Sequence, residues 1–177
     1  MRLFVALDLP HELRGLLSRL AGGVPGARRV PPDTYHLTLR FVGDVPPHVA
    51  EDVDMALSAL RGRAFGLTLS GIGTTERSGR DVAVWAGVER SDALEHLRGK
   101  IETALRRAGL PAERRRWTPH VTLARLDMAD PARLAAFVQA RNLFRAGPVR
   151  IGHVTLFSSI LSRDASAYTA EAEYRLA

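Results

Sequence analysis

The chain has no cysteine. Disulfides, thiolate metal sites and a cysteine nucleophile are therefore excluded. The absence fits a reducing compartment, and a cytoplasmic location is expected. Lysine is almost missing as well, with Lys100 the only one. Long apolar runs are also absent. The opening segment, Met1 to Leu9, is closed by Pro10, well short of the roughly 20 residues that cross a bilayer as a helix. It also lacks a signal-type cleavage region, so no membrane partner is expected. No low-complexity stretch or long linker divides the chain, and a monomer is expected.

What is present is arginine. It supplies nearly all the positive charge behind a net +6 and a sequence pI of about 10.8. Its planar fork of donors matches phosphate oxygens, and a basic surface attracts polyanions. With 46% hydrophobic and 25% charged residues, the 177-residue chain can bury a core in one compact unit or in two small lobes sharing an interface.

Hydrophobic periodicity gives the coarse plan. Arg2–Leu9 reads as a strand, and Pro10 opens a helix with Leu13, Leu16, Leu17 and Leu20 in register. The span 22–33 is rich in Gly, Pro and Arg and reads as a charged loop. A strand over His36–Val42, a helix over Pro46–Leu60 and a strand over Phe65–Ile72 follow. A polar turn is expected over Thr74–Asp81, then a strand over Val82–Val88. Ser91 can cap a helix running to about Ala108, and Asp130 with Pro131 starts another that ends near Ala140. His120–Arg125, Val149–Ser158 and Ala167–Arg175 complete the strands. The order strand, helix, His-bearing strand, helix, strand thus occurs twice. It predicts an α+β fold of two pseudo-symmetric lobes, about 1–72 and 82–177, within a single domain 1–177. Each lobe is expected to be an antiparallel sheet with helices packed outside, with a catalytic cleft between them.

One tetrapeptide carries the chemistry. His36-Leu37-Thr38-Leu39 in the first half matches His120-Val121-Thr122-Leu123 in the second. Side chains alternate faces along a strand, so each copy sets an imidazole and a hydroxyl on one surface and two apolar residues into the core. Two such strands can bring imidazoles to opposite sides of one phosphorus. One neutral His takes a proton from attacking water; the other, protonated, donates to the departing ribose oxygen. An ordinary pKa near 6.5 suits both tasks. The Thr38 and Thr122 hydroxyls can hold the non-bridging oxygens. A strained cyclic phosphate needs neither metal nor cofactor in this scheme, and no carboxylate accompanies either motif; Asp44 and Asp127 are nearest in sequence.

A third copy, His153-Val154-Thr155-Leu156, competes for the pairing. It falls after the second helix of its half, where the first half has Phe65–Leu69 and no histidine. Symmetry favours His36 with His120, and His153 is expected to be a half-exposed strand residue. His11, His48 and His96 read as solvated.

These paired motifs in a two-lobed chain resemble the two-histidine phosphoesterase superfamily, and within it the bacterial and archaeal RNA 2′,3′-cyclic phosphodiesterases once described as 2′-5′ RNA ligases. The resemblance rests on Arg2–Ala6, on His36–Gly43, on Trp117–Arg125 and on Leu156-Phe157-Ser158-Ser159. It implies hydrolysis of RNA ends or nucleotides bearing a 2′,3′-cyclic phosphate to 2′-phosphomonoesters. It also implies His36 as proton donor, His120 as proton acceptor and Arg125 as a phosphate ligand. Tyr35 departs from the smaller or apolar residue usual before the first motif and could alter how the end nucleotide is seated. Arg28, Arg29, Arg114, Arg115 and Arg116 lead into the motif strands and could hold the RNA backbone. Trp117 could stack on a base, with core packing the plainer expectation. Three other readings compete: a cyclic phosphodiesterase acting on a small nucleotide or an ADP-ribose cyclic phosphate, a non-catalytic basic RNA-binding module, and a metal-dependent hydrolase, which would need carboxylates grouped with the histidines.

Overall fold

The computed structural model describes residues 1–162 and 166–177. In chain order the elements are β1 (Arg2–Asp8), α1 (His11–Ala21), β2 (Ala27–Arg29), a 3-10 turn (Pro32–Thr34), β3 (His36–Asp44), α2 (Pro47–Ser58), β4 (Phe65–Arg77), β5 (Arg80–Val88), α3 (Asp92–Arg107), β6 (His120–Leu126), α4 (Pro131–Ala140), β7 (Arg145–Ile151), β8 (His153–Leu161) and β9 (Ser166–Arg175). They form two antiparallel sheets, ordered β3-β1-β8-β9 and β2-β6-β5-β4-β7. The α+β architecture of two facing sheets follows.

Alternation decides which face of each sheet is core. On β1, Leu3, Val5 and Leu7 join the buried cluster with Leu13 and Leu17 of α1 and Val53 and Leu57 of α2. Phe4 and Ala6, on the opposite face of β1, lie outside that cluster. On β5 the core residues are Val84, Ala86 and Val88, which leaves Ala83, Trp85 and Gly87 for the other face. Helix α3 starts where expected: the Ser91 hydroxyl accepts from the Leu94 amide at 3.2 Å, and Leu94, Leu97, Ile101 and Leu105 are buried. Asp130 caps α4 through the Ala132 amide.

The sheets do not divide at the expected lobe boundary. Strand β4 belongs to the first half of the chain but lies beside β5 and β7, while β8 and β9 return from the second half to flank β1. The hairpin explains the first exchange. The expected polar turn over 74–81 is mostly strand, with Thr74↔Val84 and Arg77↔Arg80 in register. Only Ser78 (φ 55°) and Gly79 (φ 74°) form the turn. Two consecutive positive φ values make a tight connection matched to strand twist, so β4 and β5 must be neighbours.

Two further expectations change. Part of the loop over 22–33 is a short strand, Ala27–Arg29, recruited by the open edge of β6 through Arg28↔Arg125. The single strand over 149–158 is two: β7 pairs with β4 and β8 with β1, and the chain changes sheets at Gly152.

Candidate active site

Both motif strands show the alternation their sequences specify. His36 and Thr38 are half-buried between buried Leu37 and Leu39, and His120 and Thr122 stand likewise between Val121 and Leu123. The two imidazoles are anchored in the same way. His36 Nδ1 lies 2.8 Å from the Thr34 carbonyl, and His120 Nδ1 lies 2.6 Å from the Thr118 carbonyl. A carbonyl only accepts, so Nδ1 carries the hydrogen in each ring and Nε2 is the working atom. His36 Nε2 meets the Thr38 hydroxyl at 3.0 Å.

The sheets join where β3 approaches β6. Trp117, in the segment leading into β6, donates its indole hydrogen to the Thr38 carbonyl at 3.0 Å. Arg98 of α3 reaches the neighbouring Leu39 carbonyl at 3.3 Å and lies 4.5 Å from the Trp117 ring centroid. Trp117 is thus a strut packed against the core. The histidines feel one another. Burial holds the His36 imidazole below its ordinary value; the Thr34 carbonyl and the Asp8 charge oppose this, and His120 reinforces it.

A β-bulge sits at the same motif position in each strand. Ala6 pairs with Thr38 and Val5 with Arg40, so Leu39 is the extra residue. Trp85 pairs with Thr122 and Val84 with Ala124, so Leu123 is the extra residue. The bulge reverses the later alternation. Strict alternation would put Arg125, five residues after His120, on the opposite face. Instead Arg125 pairs with Ala83 and returns to the face of His120 and Thr122. Phe41, pairing with Phe4, returns to the face of His36 in the same way. Arg40 turns inward, 7% exposed, and meets Glu102 of α3 at 2.7 Å.

Around His36 the sequence reading missed an aromatic wall. The Phe4, Tyr168 and Phe157 rings lie 5.0, 5.4 and 6.1 Å from the imidazole by centroid. Phe41, 53% exposed, extends the wall beside Phe4. Near His120 stands Trp85, at 5.6 Å. Trp85 lies so close over Gly73 that a Cβ there would come within 2.3 Å of its ring. A usable signal existed for Phe157, which follows His153 and Thr155 at period two and so shares their face.

That face is the face of His36. Ala6 pairs with Thr38 on one side and Thr155 on the other. The third motif therefore stands on the same wall, one strand away. Thr155 is 1% exposed, and among the described residues its hydroxyl and His153 Nε2 are buried without hydrogen-bond partners.

The arginines separate. Arg28 stands beside Arg125 across the β2–β6 pairing and is ion-paired with Asp127 at 3.1 Å. Arg29 instead binds Ser18 of α1, at 2.6 Å to the carbonyl and 3.0 Å to the hydroxyl. Arg114, Arg115 and Arg116 are exposed in a segment without regular structure. Tyr35 is buried in the core, where desolvation pushes its phenol pKa up, so its side chain does not seat a nucleotide. Among the described residues no three His, Asp or Glu side chains group as a metal site.

Comparison with known proteins shows the family. The RNA 2′,3′-cyclic phosphodiesterase of Aeropyrum pernix is 34% identical over 149 residues, covering 82% of this chain and 84% of that protein. The protein of the same name from Archaeoglobus fulgidus is 27% identical, covering 95% and 96%. Escherichia coli LigT complexed with 3′-AMP superposes with a TM-score of 0.80 at 27% identity, covering 99% of this chain and 97% of that one. The model of the 2′-5′ RNA ligase superfamily matches residues 7–162, a span that takes in both anchored histidines and the third motif, and the chain belongs to that superfamily.

Proposed function

We propose that this protein hydrolyses 2′,3′-cyclic phosphodiester ends of RNA to 2′-phosphomonoesters by metal-independent acid–base catalysis. The observation that carries the reading is the matched anchoring of His36 and His120, each presenting Nε2 from strands that meet. His120 Nε2 takes a proton from water as the water oxygen bonds to phosphorus. His36 Nε2 gives a proton to the ribose 3′ oxygen as its bond to phosphorus breaks. Thr38, Thr122 and Arg125 hold the non-bridging oxygens, where negative charge concentrates. Burial favours neutral His36 in the empty cleft, and the phosphate anion favours its protonated form once substrate is seated. The aromatic wall beside His36 suits a nucleoside better than a bare phosphate. The names of the relatives support the same activity. RNA ends are thus the proposed partner, and no described helix is long and apolar enough to cross a membrane.

The test is incubation with a short RNA ending in a 2′,3′-cyclic phosphate, in buffer containing a chelator, with identification of the product. A 2′-phosphomonoester is expected. Turnover lost in chelator and restored by a divalent ion would refute the metal-independent mechanism.

A further inference from the structure

The two halves present the same imidazole, the same Nδ1 anchor and the same bulge. Something must therefore decide which ring carries the proton. The residue across the neighbouring strand differs. Asp8 of β1 pairs with His36, whereas Gly87 of β5 pairs with His120. Directly paired residues on antiparallel strands share a face, with side chains about 5 Å apart. His36 thus has a carboxylate in the paired position, and His120 has a glycine there. The glycine is enforced: a Cβ at position 87 would lie 2.4 Å from the Ser70 carbonyl oxygen. The carboxylate is held, because Arg14 of α1 forms an ion pair with Asp8.

Resting on the proposed phosphodiesterase reading, we infer that Asp8 is a positioning residue: its negative charge beside His36 opposes the burial of that imidazole and so favours the protonated form that donates in the reaction. The other groups around His36 do not supply this. Tyr168 of β9 presents a neutral phenol ring in T-shaped contact. His120 of β6 disfavours a second positive charge. His153 of β8, two residues before Thr155 on the same face, carries no negative charge, and Arg175 of β9 pairs with it. Glu173 pairs with Thr155 one row further along, on β9, with two strands between it and β3. Tyr35 lies in the core. Among the described residues, Asp8 is the one side chain whose charge opposes the burial of His36, acting together with the Thr34 carbonyl.

The test compares wild type with Asp8→Asn by histidine-ring NMR titration of the free protein and by the pH profile of kcat/KM on adenosine 2′,3′-cyclic phosphate. In Asp8→Asn, His36 should release its proton at lower pH while the His120 titration stays in place. The basic limb of the profile should move down with it. An opposite charge at this range shifts a pKa by about one unit, so the rate should fall about tenfold near pH 8 and far less near pH 5.5. Asp8→Glu keeps the charge and should restore most of the limb. If Asp8→Asn folds poorly because Arg14 is left unpaired, the double variant Asp8→Asn/Arg14→Met removes both charges and should show a smaller shift in the same direction. An unmoved His36 titration, or a loss uniform across pH, would overturn the inference. If the wild type does not open the cyclic phosphate, the functional reading fails, and the NMR titration still decides whether Asp8 acts on His36.

Discussion

The His36 wall and the His120 wall differ in one systematic way. Strand, imidazole, anchor and bulge are repeated, with Thr34, Thr38 and Leu39 matched by Thr118, Thr122 and Leu123, while the neighbours on the adjoining strands have diverged. After the bulge one wall carries Phe41 and the other Arg125. Inward of those, one has Arg40, locked to Glu102, and the other has Ala124, buried in the core. Phe4, Phe157 and Tyr168 surround one imidazole, and among the described aromatic rings Trp85 alone approaches the other. The repeated part is what fixes two working nitrogens. The divergent part places aromatic rings beside one imidazole and Arg125 on the face of the other.

The largest test of this comparison removes what the walls share. His36→Ala and His120→Ala should each lower kcat by about 10²–10⁴-fold, the range of a lost general acid or base. His153→Ala should keep near-normal turnover, which a cyclic-phosphate assay on all three variants checks. An inactive His153→Ala with an active His120→Ala would move the pair to a single sheet.

Removing what differs should cost less. Arg125→Ala should raise KM about tenfold or more, since a hydrogen bond to a charged group contributes about 1.5–3 kcal/mol. It should also flatten the salt dependence of KM. Thr155→Val probes the silent third motif. A buried hydroxyl without a partner costs about 1–3 kcal/mol, so the isosteric change should raise the thermal midpoint slightly. A fall would show that the hydroxyl is satisfied. The smallest effect is on stability against pH. Because burial lowers the His36 pKa, the unfolded chain binds a proton between the ordinary value near 6.5 and the lower folded value. Stability therefore rises with pH through that window and is lost as pH falls through it. Melting curves from pH 5 to 7 should be flatter for His36→Gln than for wild type.

Much of this was legible in the residues. The doubled tetrapeptide identified both motif strands, and its alternation put Thr38 on the face of His36 and Thr122 on the face of His120. Helix starts at Ser91 and Asp130 followed from capping chemistry. What stayed hidden was non-local. The exchange of β4 and β8 between sheets depends on a two-residue hairpin at Ser78-Gly79 and on a crossing at Gly152, and neither changes hydrophobic periodicity. The bulges at Leu39 and Leu123 are extra residues with ordinary core chemistry, so period-two reading runs through them and misplaces Phe41 and Arg125. Trp85 and Asp8 come beside the histidines only through cross-strand register.

The exchange of β4 and β8 also governs how the molecule comes apart. A cut at the 78–79 turn would leave two fragments, neither holding all the strands of either sheet. Melting should accordingly be a single event in which His36 and His120 lose their order at the same temperature, and severed pieces should regain the cleft only when mixed.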